Sequence, residues 1–174
     1  SDGKSTRVGN TPDILPGPGD TFVTAGPAWA TLSNTPFRSH KQTNYEGGIS
    51  SPLIAWWPGV VKAGQITTEL SHITDITATV FDVSGQKYPE AFDNRTVAPM
   101  DGKSLRPVLE GKARNGHNSL CWATSGHKAV RIANWKLVAA PKGKWQLFDL
   151  SQDRPETHDL ASKQPERVAT MVKA

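Results

Sequence analysis

At 174 residues, 36% of them hydrophobic, with a net charge of +4, the chain has room for one ordinary domain, or for a small domain and part of another. The basic residues are scattered, so no tract suited to nucleic acid is present. No apolar run of about 18 residues exists to span a membrane as a helix, and the single cysteine, Cys121, excludes an intrachain disulfide framework.

Residues 1–52 carry little periodicity. "TPDILPGPGD" and "GPAWATLSNTPFR" read as loop, and an irregular stretch of this length is expected to be functional or to lean on another body. The opening "SDGKSTRVGN" shows no signal peptide and reads as the interior of a longer protein. Leu53–Trp57, a continuous apolar run between Pro52 and Pro58-Gly59, predicts a strand buried on both faces. "ELSHITDITATVFDVSG" predicts a helix, with Ile73, Ile76, Val80 and Val83 as its apolar stripe, Ser71 as N-cap and Gly85 as its stop. "DGKSLRPVLEGK" reads as a short helical turn. From about residue 118, "SLCWAT", "KAVRIAN", "WKLVAA" and "WQLFDL" predict four short strands, the last two forming a hairpin. "KQPERVATMVKA" predicts a closing amphipathic helix with Pro165 in its first turn and Val168, Met171 and Val172 on its apolar face.

One stretch poses a chemical question. "FRSHKQTNYEGG" sets Lys41 four residues before Tyr45 and runs into a Gly47-Gly48 turn. A lysine held by such a turn either serves a site or is solvated surface, and spacing alone favours the surface.

Several segments, in order, resemble the C-terminal part of the sulfatase family, in the arylsulfatase A-like branch of the alkaline phosphatase superfamily. They are the loop "RVGNTPDILPGPGDTFVTAGPAWATLSNTPFRSHK", the Glu-Gly-Gly segment "YEGGISSPLIAWWPG", the His-x-x-Asp helix "HITDITATVFDVSG", "DGKSLRPVLEG", and the closing "AVRIANWKLV" and "WQLFDLSQDRPETHDLA". The resemblance implies an α/β fold: the end of an alkaline-phosphatase-like α/β domain over 1–100, including the long active-site loop, followed over 101–174 by a small subdomain of four-stranded antiparallel sheet packed on a helix. It also implies that Lys41 is catalytic, its ammonium binding a sulfate oxygen and neutralising charge on the bridging oxygen. His40 and Arg38 become candidate substrate-binding residues at the pocket mouth. Tyr45 and Glu46 brace the turn, and His72 and Asp75 cap and orient the helix.

The family's nucleophile is a formylglycine made from a Cys/Ser-x-Pro-x-Arg motif, and its cofactor is a calcium ion held mostly by Asp. Neither is expected within this chain. Cys121 is followed by Trp122-Ala123-Thr124, and in "SNTPFR" the nucleophile position falls on Asn34. Cys121 therefore reads as a buried strand residue, and Asp2 as a weak match to a metal-ligand motif. Where relatives carry Trp-x-His-x-Gly, this chain has Thr124, with His127 nearby as a substitute. No metal-ligand set is assigned to the chain; calcium and formylglycine belong upstream.

The expected partners are a sulfated small molecule or polysaccharide and the N-terminal part of the same protein, without nucleic acid or membrane. The expected location is periplasmic or secreted, and the piece alone is expected to be inactive. The alternatives are a phosphodiesterase or phosphonate hydrolase of the same superfamily, and a non-catalytic module that binds sulfated glycans.

Overall fold

Local backbone chemistry accounts for most of the elements. The computed structural model describes Gly3 and residues 5–173, so Asp2 lies outside the described residues. Two residue pairs, β1 (Arg7–Val8) and β2 (Thr21–Phe22), form a short parallel ladder, which Arg7 and Asp20 flank as an exposed ion pair at 3.5 Å. Helix α1 (Gly26–Leu32) occupies part of the stretch expected to be loop. Pro27 sits in its first turn, where a fixed φ and a missing N–H cost nothing, and Ser33 Oγ and Asn34 Nδ2 donate to carbonyls of its last turn. Helix α2 (Glu46–Ile49) is a single turn.

The chain packs as two compact units. One comprises residues 1–51, 121–130 and 134–174; the other comprises residues 52–120 and 131–133. The boundary expected at residue 100 lies inside the second.

In the second unit, helix α3 (Thr74–Ser84) ends on Gly85, whose φ of 68° is the left-handed cap conformation. The expected N-cap is corrected: Ser71 Oγ turns back to the Glu69 carbonyl, and Asp75 instead accepts the His72 N–H at 3.1 Å. A two-residue turn, Asp93-Asn94, with positive φ at both positions, joins β3 (Ala91–Phe92) to β4 (Arg95–Thr96). Helix α4 (Arg106–Leu109) is the expected short turn.

Leu53–Trp57 is not a strand in this chain. Ile54 is 92% and Trp56 86% exposed, because a strand exists only against a neighbour, and none of the described residues pairs with this run. Leu53, Ala55 and Trp57 line an apolar groove of about 420 Å³ with Ile76, Val80 and Leu109.

The four predicted strands form one antiparallel sheet in chain order: β5 (Ser119–Thr124), β6 (His127–Ile132), β7 (Trp135–Ala139) and β8 (Gln146–Asp149). Strands β7 and β8 pair with Lys136 opposite Phe148 and Leu137 opposite Leu147. Both faces of β7 are covered, and Lys136, Leu137 and Val138 are all fully buried. Tyr45 packs with Ala129, Val138, Phe148 and Leu150 as a core cluster, with Trp122 at its margin. Val138, Phe148 and Leu150 each contribute about 1.5–3 kcal/mol through burial. Helix α5 (Pro165–Val172) contacts β7, burying Met171 and laying the Arg167 guanidinium on the Trp135 ring at 4.0 Å; Val172, expected on the apolar face, is half exposed. Cys121 corrects a second expectation. It is exposed, because Leu120 and Trp122 turn inward on β5 and alternation sends the residue between them outward.

Candidate functional site

The segment that carries Lys41 is held by its own backbone and by the sheet beneath it. Its expected Gly-Gly turn is a helical turn instead, and the glycines serve close approach. A Cβ at Gly47 would collide with the carbonyl oxygens of Arg38 and Ser39, and one at Gly48 with those of Thr43 and His40. Without side chains there, the loop lies directly on α2, and the Gly47 N–H donates to the Arg38 carbonyl at 2.9 Å. Thr43 Oγ1 donates to the His40 carbonyl at 2.9 Å, closing the loop over Lys41. Ser39 and Gln42 both adopt positive φ, which non-glycine residues accept only when their surroundings impose it.

The three expected site residues sit on this loop in different surroundings. Lys41 is exposed, and its ammonium has no acceptor among the described residues. His40 is half-buried, its Nδ1 3.1 Å from Thr31 Oγ1 on α1. Arg38 lays its guanidinium over the Tyr45 ring, 4.2 Å from the centroid, and donates from Nη1 to the Glu156 carbonyl at 3.3 Å. Asn44 is fully buried and reaches the Trp122 carbonyl at 3.0 Å, while Tyr45 donates its hydroxyl to Gln146 at 2.5 Å. The His127 ring stands edge-on to Tyr45, centroids 6.5 Å apart.

Beneath the loop is a buried group of charges that sequence reasoning did not identify. Lys136 Nζ lies between two carboxylates, 2.9 Å from Glu46 Oε1 and 2.8 Å from Glu156 Oε1. Arg154 Nη2 reaches Glu46 Oε2 at 2.9 Å and Ser50 Oγ at 3.1 Å. Glu46 also donates its backbone N–H to Glu156 Oε2 at 2.6 Å. The four charges cancel, with Glu46, Lys136 and Glu156 out of water and Arg154 still 39% exposed; such balance is the condition under which charges are buried. Burial raises the Glu156 carboxyl above its ordinary range, against the opposing pull of Lys136. A signal was present in the sequence: Lys136 follows Trp135 and precedes Leu137 in a buried strand, and a lysine facing inward needs an acid.

A second carboxylate centre lies in residues 52–120. Fully buried Asp75 accepts the Lys103 N–H at 2.9 Å and His117 Nε2 at 2.6 Å on Oδ1, and the His72 N–H and Arg114 Nη2, each at 3.1 Å, on Oδ2. Burial pushes its carboxyl upward, but these donors outweigh it, and the group lies below its usual value. With every lone pair committed, Asp75 pins the start of α3. Among the described residues no three His, Cys, Asp or Glu side chains are placed to hold a metal ion, so no step is assigned here to calcium.

The family model for the C-terminal part of N-sulphoglucosamine sulphohydrolase matches residues 38–174. The chain belongs to the sulfatase family. It is 31% identical to an uncharacterized sulfatase of Schizosaccharomyces pombe, over 84% of this chain and 28% of the relative. It is 42% identical to the N-acetylgalactosamine-6-sulfatase of Mus musculus, over 70% of this chain and 22% of the relative. A solved structure described under the metabolism of multiple glycosaminoglycans by Bacteroides thetaiotaomicron superposes with a TM-score of 0.63 at 25% identity, covering 79% of this chain and 30% of the other. The chain thus spans less than a third of the length of each of these sulfatases. The matched region contains the Lys41 loop, both carboxylate centres and the closing sheet.

Proposed function

We propose that this chain forms one wall of the active site of a sulfate ester hydrolase acting on sulfated carbohydrates or aryl sulfates, and that Lys41 is its catalytic contribution. The observation that carries the reading is the exposed, uncommitted ammonium of Lys41 on a loop tied down at both ends. A cation carried on a tied loop binds one sulfate oxygen and offsets the charge that develops on the ester oxygen as the S–O bond breaks; because the loop backbone is already in place, only the lysine side chain has to order. His40 and Arg38 flank it toward the sugar. The formylglycine nucleophile and the calcium ligands are assigned to residues outside this chain, which alone is inactive, and the whole protein to the periplasm or the exterior. The names of the relatives support a sulfated carbohydrate as substrate.

The test is Lys41→Ala in the full-length protein, assayed on an aryl sulfate and on a sulfated oligosaccharide. The expected loss in kcat/KM is about 100- to 1,000-fold, the scale for removing one donor to a developing anion. Unchanged turnover would remove Lys41 from the mechanism. Faster hydrolysis of a phosphodiester than of either sulfate would reassign the reaction.

A further inference from the structure

We propose that Glu156 is a positioning residue for Lys41: one side chain and one carbonyl from the C-terminal segment clamp both ends of the loop on which Lys41 stands. The inference rests on the role given above to Lys41 and concerns how that ammonium is aimed. Three observations carry it.

First, Glu156 holds the loop at two points. Its carbonyl accepts from Arg38 at 3.3 Å, three residues before Lys41, and its Oε2 accepts the Glu46 N–H at 2.6 Å, five residues after. The 38–46 segment is thereby closed through a residue 110 positions away from Glu46, independently of the short-range bonds inside the loop.

Second, the carboxylate side of the clamp is buried. Glu156 is 0% exposed, as is Lys136, which ties its Oε1 to β7 at 2.8 Å. The loop is therefore referenced to the middle of the sheet rather than to a mobile surface. Purely for stability, a packed apolar set would serve as well as the three buried charges of Glu46, Lys136 and Glu156; what charges add here is a fixed register between the parts that carry them.

Third, the backbone at Glu156 adopts a φ of 58°. A non-glycine residue is costly there, and glycine would be the easy choice. The conformation allows the carbonyl and the carboxylate of the same residue to meet the two ends of one loop, and glycine would supply only the carbonyl.

A displacement of about 1 Å at a catalytic group costs on the order of 100-fold in rate, so a clamp that sets the Lys41 ammonium is read through activity. The experiment is a double-mutant cycle in the full-length protein on an aryl sulfate, with Lys41→Ala, Glu156→Ala and the pair, all assayed below their unfolding temperatures. Glu156→Ala is expected to lower kcat/KM by about 10- to 100-fold when Lys41 is present and by less than about twofold when Lys41 is already alanine, because the two act through one contact with the sulfate. Equal fold-losses in the two backgrounds would overturn the proposal and leave Glu156 a stabilising residue only. If Lys41→Ala itself costs nothing, the catalytic reading of Lys41 fails first, and this proposal with it. Glu156→Gln keeps the shape and an oxygen for the Glu46 N–H, so it is expected to recover part of the lost rate. Run through the same cycle, it decides the question if the alanine variant does not fold.

Discussion

Lys136 Nζ stands 2.9 Å from a Glu46 oxygen and 2.8 Å from a Glu156 oxygen, so a single buried ammonium bridges the acid that follows the Lys41 loop and the acid at position 156, and Arg154 supplies the second positive charge at Glu46. Removing it leaves two carboxylates facing each other out of water. Lys136→Met is expected to destabilise the protein by about 3–5 kcal/mol, measured by denaturant unfolding. Converting Glu46 and Glu156 to Gln in the same chain should recover part of that loss. A cost below about 1 kcal/mol for the single change would mean that water reaches the group.

The pH dependence of stability carries opposite signs at the two carboxylate centres. Glu156 has a folded value above its ordinary 4.5, through burial. Folding therefore takes up a proton between 4.5 and that higher value, and stability from this group falls as pH rises across the window. Asp75 has a folded value below 3.8, because its four donors outweigh burial. Its contribution is complete above 3.8 and is lost as pH falls through the lower folded value. Glu156→Gln should flatten the decline above pH 4.5 and leave the acid limb in place, whereas Asp75→Asn should weaken the acid limb. Unfolding free energies collected from pH 3 to 8 on the full-length variants decide between these slopes.

Gly48→Ala drives a methyl group into the carbonyls of Thr43 and His40. These are backbone atoms of the Lys41 loop and cannot turn aside as a side chain would. The expected result is a destabilisation of about 1–3 kcal/mol together with a fall in kcat/KM of more than tenfold. Full activity in this variant would show that the loop tolerates displacement.

The run 53–57 predicts behaviour of the 174-residue piece in isolation. Ile54 and Trp56 are almost fully exposed, and Leu53, Ala55 and Trp57 line an open apolar groove. Contiguous apolar surface of this kind marks an interface. The isolated chain is expected to bind the dye ANS and to self-associate, and Ile54→Lys with Trp56→Lys should reduce both. A monomer that binds no dye would contradict this.

The closing sheet was legible because its signals are local. Period-two alternation and turn residues such as Ser125-Gly126, both at positive φ, specify strands and hairpins within a few residues of themselves. Helix α3 was legible for the same reason, through its stripe and Gly85. The run 53–57 was misread because apolar content predicts burial but cannot supply the neighbouring strand that makes a strand form. Cys121 was misread because a strand's content does not say which parity faces the core. The glycines of the Glu-Gly-Gly segment were recognised as necessary, but for a turn; the backbone packed against them became visible only in three dimensions.

By itself the sequence determined helix α3, the four strands of the closing sheet and helix α5, the family resemblance and the candidate lysine, since each is written in contiguous residues. Only the tertiary structure decided how that lysine is held. The charges of Lys136, Arg154 and Glu156 lie 90 or more positions from Glu46 along the chain, and a buried charge is tolerated only where folding delivers its counter-charge at hydrogen-bond distance. That pairing is a property of packed strands and loops, and no local pattern of residues encodes it.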